Sequence, residues 1–265
     1  MRVRDHFNAK HIHAMIADAP KKVALIFGAT GGIGSALCAQ MTSDAWTLAL
    51  ASRSNDRLAE LPVTVREHFI PTDATHSEQV DRCFAEVLQR HGRLDAVAHC
   101  VGSVLLKPAH TTSDSDWNEV LITNLTSAFY VLRAAARLMR THGGSIVLVS
   151  SVAARRGLAN HEAIAAAKAG IIGLTLSAAA TYARNNIRVN CVAPGLVRTP
   201  LTETLTSNEA TLRYSTSLHP LRRIGEPAEV ASAIGWLLDP KQSWITGQVL
   251  GVDGGMATVQ PSTLS

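Results

Sequence analysis

The sequence predicts a single α/β domain built as a doubly wound parallel sheet with helices on both faces. Three observations carry this expectation. From residue 22 onward, seven short apolar runs alternate with helix-periodic segments. The runs are almost continuously hydrophobic, as strands covered on both faces must be. The chain of 265 residues, 46% hydrophobic and 17% charged, is also long enough to bury one large core.

The first run, VALIFG (23–28), passes straight into GATGGIG and then a helical pattern over 33–43. This turn holds Gly28, Thr30, Gly31, Gly32, Ile33 and Gly34. Its glycines let the backbone turn tightly and approach a pyrophosphate, whose charge the amides at the helix start can hold. The strand before it and the helix after it make the pattern specific.

The second run, WTLALAS (46–52), ends at Ser52, where an NAD-selective chain would place an acid for the ribose 2'-hydroxyl. Arg53 follows, and a guanidinium can hold a 2'-phosphate through paired hydrogen bonds. NADP(H) is therefore the expected cofactor. In the less favoured NAD(H) alternative, Arg53 is a solvated loop charge and Asp56 serves the ribose. The third run, EHFIP (67–71), leads to Asp73 and Ala74. Asp73 is placed either to hydrogen-bond the adenine or to cap the helix over 76–91.

LDAVAHCVG (94–102), SIVLVSS (145–151), IRVNCVA (187–193) and QVLGV (248–252) complete the strands, with helices expected over 114–140, 160–183 and 227–238. Such a sheet gathers ligands at the carboxyl ends of its strands. The Thr- and Ser-rich stretch 199–220 suits a mobile lid over a pocket or an ordinary surface helix-loop.

The net charge of +4 is concentrated in residues 1–22, and the remainder is close to neutral. With only 5% aromatic residues besides, a nucleic-acid partner is not expected. No apolar segment with a cleavage site opens the chain. The uncharged run 169–183 is shorter than the roughly 20 residues needed to span a bilayer, so it is read as a buried helix and no membrane association is expected. Cys38, Cys83, Cys100 and Cys191 lack paired spacing, which suggests buried thiols in a reducing cytoplasm and no metal site. Residues 1–20, with His6, His11 and His13, form an expected loosely ordered extension. The domain then runs over 21–258, with a tail at 259–265.

Taken together, these segments resemble the short-chain dehydrogenase/reductase family over 23–256. GATGGIG is similar to its cofactor loop, and GRLDAVAHCVG to the stretch ending in its Asn-Asn-Ala-Gly motif. ITNLTSAFYV carries its helix asparagine, SIVLVSS ends in its serine, and NCVAPGLVRTPL matches its Pro-Gly segment. The resemblance implies a Rossmann-type fold, a nicotinamide cofactor and a small carbonyl or alcohol substrate. It implies that Ser151 polarises the substrate oxygen, that Asn124 helps hold a water in the proton relay and that Lys168 holds the nicotinamide ribose. The cofactor set it implies also includes Gly102, Pro194, Gly195, Val197 and Thr199. Thr199 is expected to bond the carboxamide or to serve as a plain helix cap.

Two features depart from the family pattern. Ile164 stands where the resemblance puts the proton-transferring tyrosine, and His99-Cys100-Val101 stands where it puts Asn-Asn-Ala. Positions 164 and 168 share a helix face about 6 Å apart along the axis. Loss of a general acid costs about 10²- to 10⁴-fold in the chemical step. His161, one turn earlier on the same side, is the candidate replacement, with Lys168 and water as rivals and a helix-cap role as its plain alternative. Tyr214 is a weaker candidate, and Tyr130 and Tyr182 are expected to pack. The small residues on nearly every face of helix 160–183 suggest packing against another subunit, in a dimer or tetramer. The expected function is an NADP(H)-dependent oxidoreductase with a non-standard proton donor. Its alternatives are a catalytically silent, cofactor-binding sensor or partner subunit, and non-redox chemistry on the same scaffold.

Overall fold

The computed structural model describes residues 21–42 and 46–260. The expected extension over 1–20 and the last residues of the tail, 261–265, lie outside the described residues.

Seven strands form one sheet in the order β3-β2-β1-β4-β5-β6-β7, every neighbouring pair parallel. They are β1 Lys22–Phe27, β2 Trp46–Ser52, β3 Phe69–Pro71, β4 Ala96–His99, β5 Gly144–Val149, β6 Ile187–Pro194 and β7 Val249–Val252. The helices are α1 Gly32–Thr42, α2 Val63–Arg66, α3 Ser77–His91, α4 Asp114–Leu121, α5 Ser127–Met139, α6 Glu162–Tyr182, α7 Glu203–Thr206, α8 Glu209–Leu218 and α9 Pro227–Leu238.

Strand periodicity divides the core. Val23, Leu25 and Phe27 of β1 pack with α3, α5 and α6 on one face, whereas Ala24 and Ile26 pack with α1 and α9 on the other. Because both faces are covered, strands such as β6 are buried along their whole length. The strand order reverses between β1 and β4, and the amide of Cys100 donates to Phe27 O across 2.9 Å at that point. The crevice beyond these strand ends is the place for a ligand in a doubly wound sheet.

Several boundaries differ from the sequence expectation. The run 94–102 contributes only β4, because the chain leaves the ladder at Cys100, and 145–151 pairs only as far as Val149. The expected helix 114–140 is interrupted by a π-helical turn, Ile122–Thr126. Single π turns inside helices recur at functional sites. Residues 199–220 form a helix-loop in which α8 buries none of its residues.

The apolar run is longer than its uncharged centre suggested: Glu162–Asn185 is long and apolar enough to cross a membrane by length and composition. Its buried face, including Ala167, Ile171 and Ala178, is nonetheless spent on the protein core. The four cysteines are free thiols, three of them buried and Cys100 half-buried.

Candidate active site

The glycine turn is held in place from three sides. Gly28 adopts φ +74°, and a Cβ there would lie 2.9 Å from the carbonyl carbon of Cys100, so only glycine lets the turn approach the end of β4. A Cβ at Gly34 would collide with the carbonyl oxygen of Gly28. On the open side, a Cβ at Gly32 would meet Thr199 Cγ2 at 2.6 Å, which brings the loop after β6 against the first turn of α1. Gly32, Ile33 and Gly34 begin that helix, so their amides have no helical acceptor before them and can serve an anion.

Ser52 is buried and its hydroxyl accepts the Thr30 amide at 3.2 Å, tying the end of β2 to the glycine turn. Arg53 is exposed and forms no ion pair among the described residues. Asp73 does not cap the following helix, one of the two readings made from sequence; its carboxylate anchors a local turn instead. Burial works against its charge, but Thr75 donates its amide and hydroxyl to one carboxylate oxygen at 2.9 and 2.7 Å and holds the carboxyl below its usual range. This turn precedes α3, whose N-cap position is His76. Ala74 is packed into the core. Val197 is likewise a core side chain, and its carbonyl accepts the Thr202 hydroxyl at 2.5 Å. Thr199 engages Thr202 at 3.1 Å and takes the cap-like place before the turn Pro200–Thr202, as its plainer reading had it. Pro194 ends β6, and Gly195 follows it.

The π turn presents Asn124. This fully buried side chain donates from Nδ2 to Val120 O at 3.0 Å and to Ser103 Oγ at 2.9 Å, while its Oδ1 accepts the Ser103 amide at 3.1 Å. One donor is spent on the preceding helical turn, and the other donor with one acceptor site holds Ser103, in the segment after Gly102. Lys168 points toward the same place: a Cβ on Gly102 would lie 3.1 Å from Asn124 Oδ1 and 3.3 Å from Lys168 Nζ. Lys168 donates to Val149 O at 3.0 Å, and burial lowers its pKa to about 8.

Ile164 lies one turn before Lys168, buried with Val120, Ala163 and Ala167. Its outer edge lines a cleft of about 360 Å³ together with Ser151, His161, Leu196, Tyr214 and His219. Ser151 and His161 thus reach one cavity, although they come from different elements. Ser151 Oγ accepts the Ala153 amide at 3.1 Å. His161 occupies the N-cap position of α6 but makes no side-chain cap; Nδ1 donates instead to Ala159 O at 2.7 Å. Nε2 has no hydrogen-bond partner among the described residues. In this arrangement one ring nitrogen is fixed by a carbonyl and the other remains for a ligand.

His219 is a cleft residue that the sequence reading missed. It is buried, with Nδ1 donating to Ser215 O at 2.7 Å and Nε2 accepting the Leu196 amide at 3.3 Å. It pins α8 to the loop after β6. The sequence signal was only its position beside Pro220, at the end of the Thr- and Ser-rich stretch. Tyr214 lines the cleft and is mostly exposed, whereas Tyr130 and Tyr182 pack at the margin of the core.

His99 is fully buried beside this centre. Ser127 gives its hydroxyl hydrogen to Thr123 O at 2.6 Å, so His99 Nε2 must donate to Ser127 Oγ across 3.0 Å, which leaves Nδ1 as a buried acceptor without a partner among the described residues. Burial, and then the charge of Lys168, lower its pKa to about 3.

A family model described as enoyl-(acyl carrier protein) reductase matches residues 28–257. A 3-oxoacyl-[acyl-carrier-protein] reductase from Thermotoga maritima is 35% identical over 89% of this chain and 97% of its own. A tropinone reductase homologue from Arabidopsis thaliana is 34% identical over 88% and 91%. Among solved structures, a short-chain type dehydrogenase/reductase from Mycobacterium ulcerans superposes with a TM-score of 0.84 at 31% identity, covering 91% of each chain. The protein ElxO with NADP bound gives 0.84 at 29% identity over 90% of this chain and 100% of that one.

Proposed function

The chain belongs to the short-chain dehydrogenase/reductase family, and we propose that it is an NADP(H)-dependent oxidoreductase of a small carbonyl or alcohol that uses His161 to move the proton. The single observation carrying this reading is that Ser151 and His161 line one cleft around Ile164, with Lys168 one turn below. The reductase names of the relatives favour catalysis over the silent sensor or partner.

The residues present fit a dinucleotide. The glycine turn at the start of α1 would hold the pyrophosphate, exposed Arg53 the 2'-phosphate, Asp73 the adenine and Lys168 the nicotinamide ribose. NADP bound to ElxO supports this fit. When bound, the nicotinamide supplies or accepts the hydride.

This chain's own side chains would do the rest. Ser151 donates its hydroxyl to the substrate oxygen. In reduction, His161 in its imidazolium form gives a proton from Nε2 to that oxygen. In oxidation, neutral His161 takes the alcohol proton at the same atom. Donation from Nδ1 to Ala159 O keeps the ring oriented in both forms. Asn124 holds Ser103 and the floor of the pocket. The apolar walls exclude water from the reacting carbon.

A dimer or tetramer is part of this reading, supported by the apolar side chains of Phe129 and Leu176 exposed on α5 and α6. The free thiols accord with a cytoplasmic location. NADPH consumption against a carbonyl panel tests the activity. His161→Ala is expected to slow turnover at least about 100-fold while NADPH fluorescence titration stays unchanged. Equal turnover by wild type and variant would reject His161.

A further inference from the structure

The cleft is closed by apolar side chains from three separate segments: Leu106 from the loop after β4, Leu158 from the loop before α6, and Leu205 and Leu218 from the flap of α7 and α8. Its polar groups are hydroxyls, an amide and imidazoles. Among the described residues, none that lines it is an aspartate, glutamate, lysine or arginine.

Cations close to it in sequence do not line the cleft and already have partners. Lys107 pairs with Asp116 at 2.7 Å, Arg213 pairs with Glu209 at 3.1 Å, and the Arg156 guanidinium donates to Met256 O at 2.6 Å. Arg155 lies against β7, where its Nη1 would be 2.7 Å from a Cβ on Gly251. Lys168 lies at the buried floor and is bound to Val149 O. A carboxylate or phosphate carried on the substrate would therefore lose its water in the cleft with only the His161 ring near it, and in reduction the Nε2 proton of that ring is committed to the reacting oxygen, so the desolvation is costly.

We propose that this cleft selects an uncharged, mainly apolar ketone or secondary alcohol and rejects analogues that carry a carboxylate or phosphate within the bound portion. The inference rests on the oxidoreductase reading of the same cleft. The volume, near the lower end of the roughly 300–1,000 Å³ that accommodates small molecules, suits a substrate the size of a substituted ring or short chain. His219 is not a substitute anion site, because its two ring nitrogens are committed to Ser215 O and the Leu196 amide.

Ethyl benzoylformate and benzoylformate test this directly, since they present the same keto group beside an ester or a carboxylate. Saturation-transfer NMR on the intact chain measures their binding without turnover, and NADPH consumption measures the reaction. The ester is expected to bind at least about 100-fold more tightly, the ratio set by an unpaired desolvated charge. Leu205→Arg, a change on the half-buried flap, should narrow that preference at least tenfold by supplying the missing cation. Because Leu205 lies on a short surface helix, folding of this variant can be checked by circular dichroism. A carboxylate that binds as well as the ester would overturn the inference, as would failure of the folded arginine variant to alter the ratio. Binding of neither compound would also overturn it. Selective ester binding without turnover would leave the charge selection standing while rejecting the oxidoreductase reading.

Discussion

The Ser150 hydroxyl donates to the main-chain carbonyl of Lys168 across 2.7 Å. Both groups are buried, and the bond fastens the middle of α6 to the end of β5 one residue before Ser151. The strand end and the helix that carry the two proposed functional groups are therefore locked together by a side chain that touches neither ligand.

Ser150→Ala should remove that lock at a cost of about 1–2 kcal/mol in unfolding free energy, measured by urea denaturation. Turnover should fall further than stability alone explains, because the separation of Ser151 from Lys168 is no longer fixed. Unchanged stability and turnover would show that the bond carries no weight.

Lys168 titrates at about 8 through burial, so its positive charge is present below that pH and lost above it. NADPH binding should weaken as pH rises through 8, and Lys168→Met should bind more weakly with no such pH step. Fluorescence titration across pH 6–10 checks both.

His99 has its folded pKa depressed to about 3, whereas the unfolded chain takes up a proton near pH 6.5. The stability it contributes is therefore complete above 6.5 and is lost as the pH falls toward 3, at about 1.4 kcal/mol per unit. His99→Asn should flatten this acid limb by close to one proton in a series of urea melts between pH 4 and 7. An unaltered slope would mean that this side chain is not the group responsible.

Arg53 is exposed and unpaired among the described residues. Arg53→Ala is expected to raise the KM for NADPH roughly 10- to 100-fold, the loss of a charge-assisted pair, with little change for NADH. Equal effects on both cofactors would point to Asp56 or the backbone as the discriminating feature.

Strand runs such as VALIFG and IRVNCVA were legible because burial on both faces leaves little room for polar residues, and the parallel sheet followed from their alternation with helices. The glycine turn was legible for a similar reason, since Gly28 and Gly34 sit where a Cβ has no space. The π turn at Asn124 was not, because one extra residue per turn leaves no mark on hydrophobic periodicity. Nor was His219, whose role depends on Ser215 and Leu196 meeting it in space. Ser52 was legible as the end of β2, but its bond to the Thr30 amide required the turn's geometry. His161 was placed correctly on the side of Ile164, whereas its anchoring by Ala159 O depends on the loop before α6.

The central claim is that the proton function has moved from position 164 to His161. The most direct test is steady-state NADPH consumption by four proteins: wild type, His161→Ala, Ile164→Tyr and the double variant. If His161→Ala lowers kcat at least about 100-fold with NADPH binding intact, and the double variant recovers activity through the introduced phenol, the relocation stands. If wild type binds NADPH but stays silent on every carbonyl while Ile164→Tyr alone becomes active, the claim is contradicted and the chain is a cofactor-binding protein that has given up its chemistry.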